Sequence, residues 1–211
     1  MKKEHNRAIL FMLVASAGFA FMGIFVNLSG DVPILQKVFF RNIVTMLIAF
    51  TVIQRDSRVK NPFGNRKNRY KLLLRSLFGL TGVAFYFYAL SNMYVADAAM
   101  LNKLSPFFVA IFATFFLGEK LSRFHVPILL LAFISAMFII RPKFDISVFP
   151  AVAGALSAAC AAAAYTTIRS IGNGEPASVV VFFFSFVTVT ALFPFVIVDG
   201  SIPSFEAFFY L

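Results

Sequence analysis

Seven runs of mostly apolar residues, each about long enough to cross a bilayer, follow one another with only short links between them. A span needs about 20 apolar residues at a rise of about 1.5 Å each. Runs of that kind lie at about 8 to 28, 35 to 54, 71 to 92, 97 to 117, 124 to 140, 149 to 169 and 178 to 198. Of the 211 residues, 60% are hydrophobic and 13% charged, which leaves too little polar surface for a soluble domain. The predicted class is an all-α, polytopic membrane bundle with about seven spans. The opening "MKKEHNR" and the small residues "ASA" imitate a signal peptide. The apolar run nevertheless continues to Leu28, so it is expected to be retained as the first span.

The formal charge of +10 does not point to nucleic acid, because the basic residues line no aromatic-interleaved face. They flank span ends. With the N-terminus in the cytoplasm, the inner flanks carry Lys2, Lys3, Arg7, Arg55, Arg58, Lys60, Arg66, Lys67, Arg69, Lys71, Arg75, Lys120, Arg123 and Arg169, and the outer flanks only Lys37, Arg141 and Lys143. That asymmetry is the positive-inside rule. It predicts a multi-pass protein of the cell (inner or plasma) membrane with a cytoplasmic N-terminus. The loop "QRDSRVKNPFGNRKNRYK" then serves as a topology anchor first and a contact for anionic membrane lipids second.

Two cations fall outside this scheme. Arg41, followed by Asn42, lies inside the second span, and Lys103, preceded by Asn102, inside the fourth. Each is about six residues in from the outer end, roughly 9 Å deep. The acids Asp97 and Glu119 sit at span edges, so the spans offer no deep carboxylate to neutralise either cation. Two outcomes are open: both side chains snorkel to the outer headgroups, or both face a watery cavity and hold a carboxylate or phosphate of a small-molecule substrate.

Sliding the chain along itself until position 38 meets position 181 superposes "VFFRNIVT" (38 to 45) on "VFFFSFVT" (181 to 188). The same register sets Pro33 on Pro176, Leu13 on Leu156 and Ala20 on Ala163, without a gap. An odd number of spans separates the copies, so the repeat is expected to be inverted. Residues 1–143 make the first repeat of five spans, and 144–211 an incomplete second one with spans six, seven and the start of an eighth. A complete pair would have about ten spans, and the chain looks like a fragment.

The run "RSLFGLTGVAFYFYALSNMYVADAAMLNKLSPFFVAIFATFFLGEKLS", residues 75 to 122, resembles the third and fourth helices of EamA-type drug/metabolite transporters, with their "DA" turn and a fourth helix ending in "GEK". "FFRN" and "PASVVVFF" are similar to the same family. The resemblance implies ten helices in two inverted five-helix repeats, both termini cytoplasmic, and a central cavity for alternating-access transport of small metabolites. It also implies self-association, since four-helix relatives in the superfamily are dimers, and a homodimer is the expected assembly.

Within the resembling block, Gly79, Gly82 and Ala84, and in the sixth span Ala151, Ala155, Ala159 and Ala163, are small residues suited to close helix packing. Tyr86 and Tyr88 share the third span with that face and are candidates for a cavity wall, the alternative being an interfacial aromatic belt. Pro106 should kink the fourth span and free the carbonyl near Asn102 or Lys103. Glu119 is expected to pair locally with Lys120 or Arg123. Cys160 reads as a packing residue. Only His5 and His125 are present, both at span ends, so "GALSA" around Ser157 has no histidine base and an enzyme is not expected. No cofactor or metal is expected. The function expected is movement of a small polar or amphipathic metabolite, anionic or zwitterionic, with Arg41, Asn42, Tyr86, Tyr88, Asn102 and Lys103 as substrate-binding candidates. The alternative is a non-transporting membrane subunit, or an inactive fragment, that packs with partner helices.

Overall fold

A chain that enters hydrocarbon has to satisfy its backbone polar groups within each segment, and helices do so. The computed structural model describes residues 2–28, 32–57, 59, 61–119, 124–140 and 148–199. These contain α1 (Lys2–Leu28), α2 (Ile34–Arg55), α3 (Arg69–Asn92), α4 (Val95–Asn102), α5 (Ser105–Leu117), α6 (His125–Ile140), α7 (Val148–Ile171) and α8 (Ala177–Asp199), with one turn of 3-10 helix at Gly172–Gly174. Among the described residues there is no strand. The chain is an all-helical polytopic bundle. Five segments are long and apolar enough to cross a membrane: α2, α3, the α4–α5 pair, α7 with the turn after it, and α8. Shorter apolar stretches lie in α1 (9–25) and α6 (125–135).

The expected fourth span is two helices. Backbone bonds run from Lys103 N to the carbonyls of Ala99 (3.2 Å) and Met100 (3.0 Å), and from Leu104 N to Leu101 O (3.0 Å). The ladder then restarts at Ser105, with Pro106 in the first turn of α5, where its missing N–H has no ladder bond to make. Pro106 therefore opens a new helix just beyond a break at Lys103 and Leu104.

α2, α3, α7 and α8 form the centre, with α3 against α7 and α2 against α8 as the closest pairs, and α3 also meeting α8. Gly82 sets the α3–α7 approach: a β-carbon there would lie 3.1 Å from Cys160 Cβ and 3.4 Å from the α7 backbone. The buried stripe of α7 runs through Ala153, Gly154, Ser157, Ala158 and Ala162. Ala151, Ala155, Ala159 and Ala163 are only half-buried. Alanine is so frequent in this helix that size alone cannot choose a face, and the Gly82 contact chooses it.

α2 and α8 run in opposite directions. Ala49 and Ile53, late in α2, cluster with Val179 and Phe182, early in α8. Phe39, early in α2, meets Phe193, late in α8, at 6.4 Å between ring centroids. One end of the bundle is basic, with Arg55, Arg66, Lys67, Arg69, Lys71 and Arg169 near it. There, part of the loop between α2 and α3 is folded onto the α7–α8 turn. The Glu175 carboxylate accepts from Asn65 N (2.8 Å) and Asn68 Nδ2 (2.9 Å), and Lys71 Nζ donates to Ser170 O (2.7 Å). Phe63 meets the rings of Phe182 and Phe186 edge-on at 5.7 and 5.1 Å. Gly64 makes this approach with φ +70°, where a β-carbon would come 2.7 Å from Leu72.

Glu119 pairs across helices, with 2.7 Å from its carboxylate to Arg169 Nη2. Lys120 and Arg123, the partners expected from the sequence, lie outside the described residues, as do Asp31, Arg58, Lys60, Arg141 and Lys143. Lys37, expected as a flank, is 2% exposed, and Asp97, expected at an edge, 5%.

Candidate substrate path

Arg41 stands seven residues into α2, and its guanidinium carbon lies 5.8 Å from the centre of the Phe87 ring on α3. Phe87 belongs to the largest core cluster, with Val38, Phe39, Leu90, Ala98 and Leu192, and Tyr86 packs half-buried against it. Asn42 is fully buried. Its Nδ2 donates to Val38 O at 2.7 Å, while its Oδ1 meets no hydrogen-bond donor among the described residues. Arg41, Asn42 and Tyr86 thus gather where α2 meets α3.

The other candidates sit elsewhere. Residues two apart on a helix face different ways, and Tyr88 is accordingly exposed while Tyr86 is not. Its carbonyl accepts from Asn92 Nδ2 at 2.9 Å. Asn102 Nδ2 donates to Ser157 Oγ (3.3 Å), whose hydroxyl in turn donates to Gly154 O (2.7 Å), tying α4 to α7. Lys103 is exposed at the break between α4 and α5.

Sequence reasoning misses Arg75, because its position groups it with the basic flank. It lies six residues into α3, roughly 9 Å along the helix, and its side chain is half-buried. Its guanidinium carbon sits 4.1 Å above the centre of the Phe184 ring on α8. The notch that admits it is Gly79, where a β-carbon would lie 2.5 Å from Arg75 Nη1 and 2.9 Å from the Phe184 ring. The depth argument that singles out Arg41 applies equally to Arg75 and is the available signal.

A charge at the centre of a span costs roughly 3 kcal/mol on insertion scales, and a desolvated cation–π contact returns about 2 kcal/mol. The ring alone does not settle Arg75. Its buried Nε and Nη1 have no hydrogen-bond partner among the described residues, and each such donor costs roughly 1–3 kcal/mol. Arg41 and the Tyr165 hydroxyl on α7 are within electrostatic reach of it. Two guanidinium groups on one seam, both backed by rings, can hold an oxyanion.

At the end of the bundle opposite the basic one, a cleft of about 650 Å³ opens between the start of α2 and the last turns of α8. Pro33, Ile34 and Gln36 line one wall, and Pro194, Phe195 and Val198 the other. Among the described residues no cluster of His, Cys, Asp or Glu could hold a metal ion.

Residues 6–141 match the model of the EamA-like transporter family. The chain is 31% identical over 199 residues to the pseudopaline exporter CntI of Pseudomonas aeruginosa, an alignment covering 93% of this chain and 68% of that protein. It is 29% identical over 137 residues to human solute carrier family 35 member G1, covering 64% of this chain and 37% of the relative. With the riboflavin transporter of Brucella anthropi it shares 26% identity over 153 residues, 69% of this chain and 52% of that one. No solved structure matches it. The relatives are transporters and not enzymes, and on the match across residues 6–141 together with the all-helical bundle, the chain belongs to the EamA-like transporter family.

Proposed function

We propose that the chain works as a carrier of a small polar or amphipathic metabolite bearing an anionic or zwitterionic group, moved by alternating access along the seam of α2, α3 and α8. The observation that carries this reading is Arg41, a cation within an apolar helix whose guanidinium rests on the Phe87 ring. A cation kept there at a cost of several kcal/mol is a functional residue by default. The unlike ends of the bundle support the mechanism. The basic end is clasped by Glu175 and Phe63, while the other end opens into the cleft beside Pro33 and Pro194.

In this reading residues 1–143 form one repeat and 144–211 begin its inverted partner, with the N-terminus cytoplasmic in the cell membrane. The opposed directions of α2 and α8 favour it. Arg41 and Asn42 meet the substrate, Tyr86 borders them, and Asn102 and Lys103 mark the break in the fourth span, where the backbone ladder is interrupted.

The test is flux. The purified chain is reconstituted in vesicles and loaded from a panel of carboxylates, phosphates, zwitterions and riboflavin, with lumenal contents measured by mass spectrometry. Accumulation of one class that falls at least about tenfold in Arg41→Gln is expected. A folded chain that accumulates nothing beyond empty vesicles would favour the non-transporting subunit.

A further inference from the structure

The copy at 181 to 188 carries Phe184 where the copy at 38 to 45 carries Arg41, yet a guanidinium is present at that place. It comes from α3: Arg75 lies over the Phe184 ring. The molecule therefore has two ring-backed guanidinium groups. Arg41 is about 10 Å in from the cleft end of α2, and Arg75 about 9 Å in from the basic end of α3. Neither makes an ion pair that would explain it among the described residues.

A purely structural arginine spends its donors on carbonyls or carboxylates. Arg75 does neither with Nε and Nη1. Those two nitrogens lie on different edges of the planar fork, so an oxyanion meets either of them as a single acceptor. Phe184 covers the face of the guanidinium, and Gly79 lies directly against its Nη1.

We propose that Arg75 on Phe184 and Arg41 on Phe87 are two stations for one oxyanion, a carboxylate or phosphate, one near each end of the α2–α3–α8 seam. The proposal rests on the carrier reading and sharpens it, because it adds a site that the second copy's own sequence lacks. An anion that leaves the cleft end meets Arg41 first and Arg75 second. Each station replaces the missing acceptors of one guanidinium, so occupancy alternates without leaving an anion in hydrocarbon.

The experiment measures binding separately from flux. The full chain is held in nanodiscs of zwitterionic lipid, and its melting temperature is followed against citrate or inorganic phosphate, with chloride at matched ionic strength as the blank. A saturable rise is expected, with its midpoint moved about tenfold higher in Arg75→Gln and in Arg41→Gln. Arg75→Lys keeps the charge and the fold but loses the fork, and should fall between wild type and Arg75→Gln. Phe184→Leu keeps the bulk and should weaken binding by less.

A wild-type rise no larger than that with chloride, or midpoints unchanged in both Arg75 variants, overturns the proposal. Nanodiscs containing phosphatidylglycerol distinguish the source of the anion. A lipid retained in native mass spectra of wild type and lost from Arg75→Gln would make this a headgroup site and overturn its place on the path. Arg75-dependent citrate or phosphate binding in a chain without flux would uphold the site and sink the carrier reading. Flux untouched by Arg75→Gln would sink the stations and leave that reading standing.

Discussion

The segments 38–45 and 181–188 are near copies in sequence, and in the bundle they share a register while dividing the chemistry. Phe39 and Phe182 are each 7% exposed, and Asn42 and Ser185 each fully buried. The helices also start alike. Pro33 O accepts from Gln36 N and Lys37 N, and Pro176 O accepts from Val179 N and Val180 N, at positions that correspond one to one between the copies. The copies differ at three places, and they part most sharply at the first, Arg41 against Phe184. Arg41 brings a charge to a ring on α3, whereas Phe184 is itself the ring that receives a charge from α3. A repeat can thus keep its packing register and exchange donor for acceptor, because a cation and an aromatic face are complementary and fill similar volumes.

The harshest way to break this division is Phe184→Arg, which sets a third guanidinium against Arg75 and removes its ring. Loss of about 3 kcal/mol or more is expected, read as failure to recover folded protein from detergent, and normal recovery with normal flux would show that the ring is dispensable. Gly79→Ala tests the notch. Its methyl would lie 2.5 Å from Arg75 Nη1 and 2.9 Å from Phe184, so the stack must open, and flux should drop severalfold while melting falls by about 1–3 kcal/mol.

Sharpening comes from Ser185→Asn, which gives the second copy the side chain of the first. Ser185 is fully buried with its hydroxyl unpartnered among the described residues, so the larger amide should cost about 1–2 kcal/mol of stability. Urea or thermal melts in mild detergent would measure it. The smallest effect is expected at the basic end, away from both copies. Glu119→Gln removes a pair whose side chains are 37% and 57% exposed, worth under about 1 kcal/mol. A shift larger than those at Gly79 and Phe184 would mean that the α5–α7 contact matters more than the α2–α8 seam.

Much of the fold was legible because a bilayer imposes its own period. Each expected segment overlies a helix, and Pro106 marked the fourth as interrupted. Arg41 was legible as a cation without a nearby acid. Arg75 was not, because it follows Arg69 and Lys71 closely enough to read as one more flank charge. Tyr88 was grouped with Tyr86 by sequence proximity, although two residues along a helix is more than half a turn. The loop at 61–68 read as a topology anchor and a contact for anionic lipids, while Glu175, 107 residues from Asn68, holds it in place.

What the sequence determined by itself is the number and order of the apolar segments, the basic bias of one end and the near match of 38–45 to 181–188, since these depend on local hydropathy, charge and residue identity. Only the tertiary structure decided which faces meet. An alanine-rich α7 presents small residues all round, so its buried stripe follows from the close approach of Gly82. The direction of the Arg75 side chain was decided in the same way. A guanidinium six residues from a helix end can reach outward to water or inward to a ring, and the notch at Gly79 beside Phe184 turns it inward.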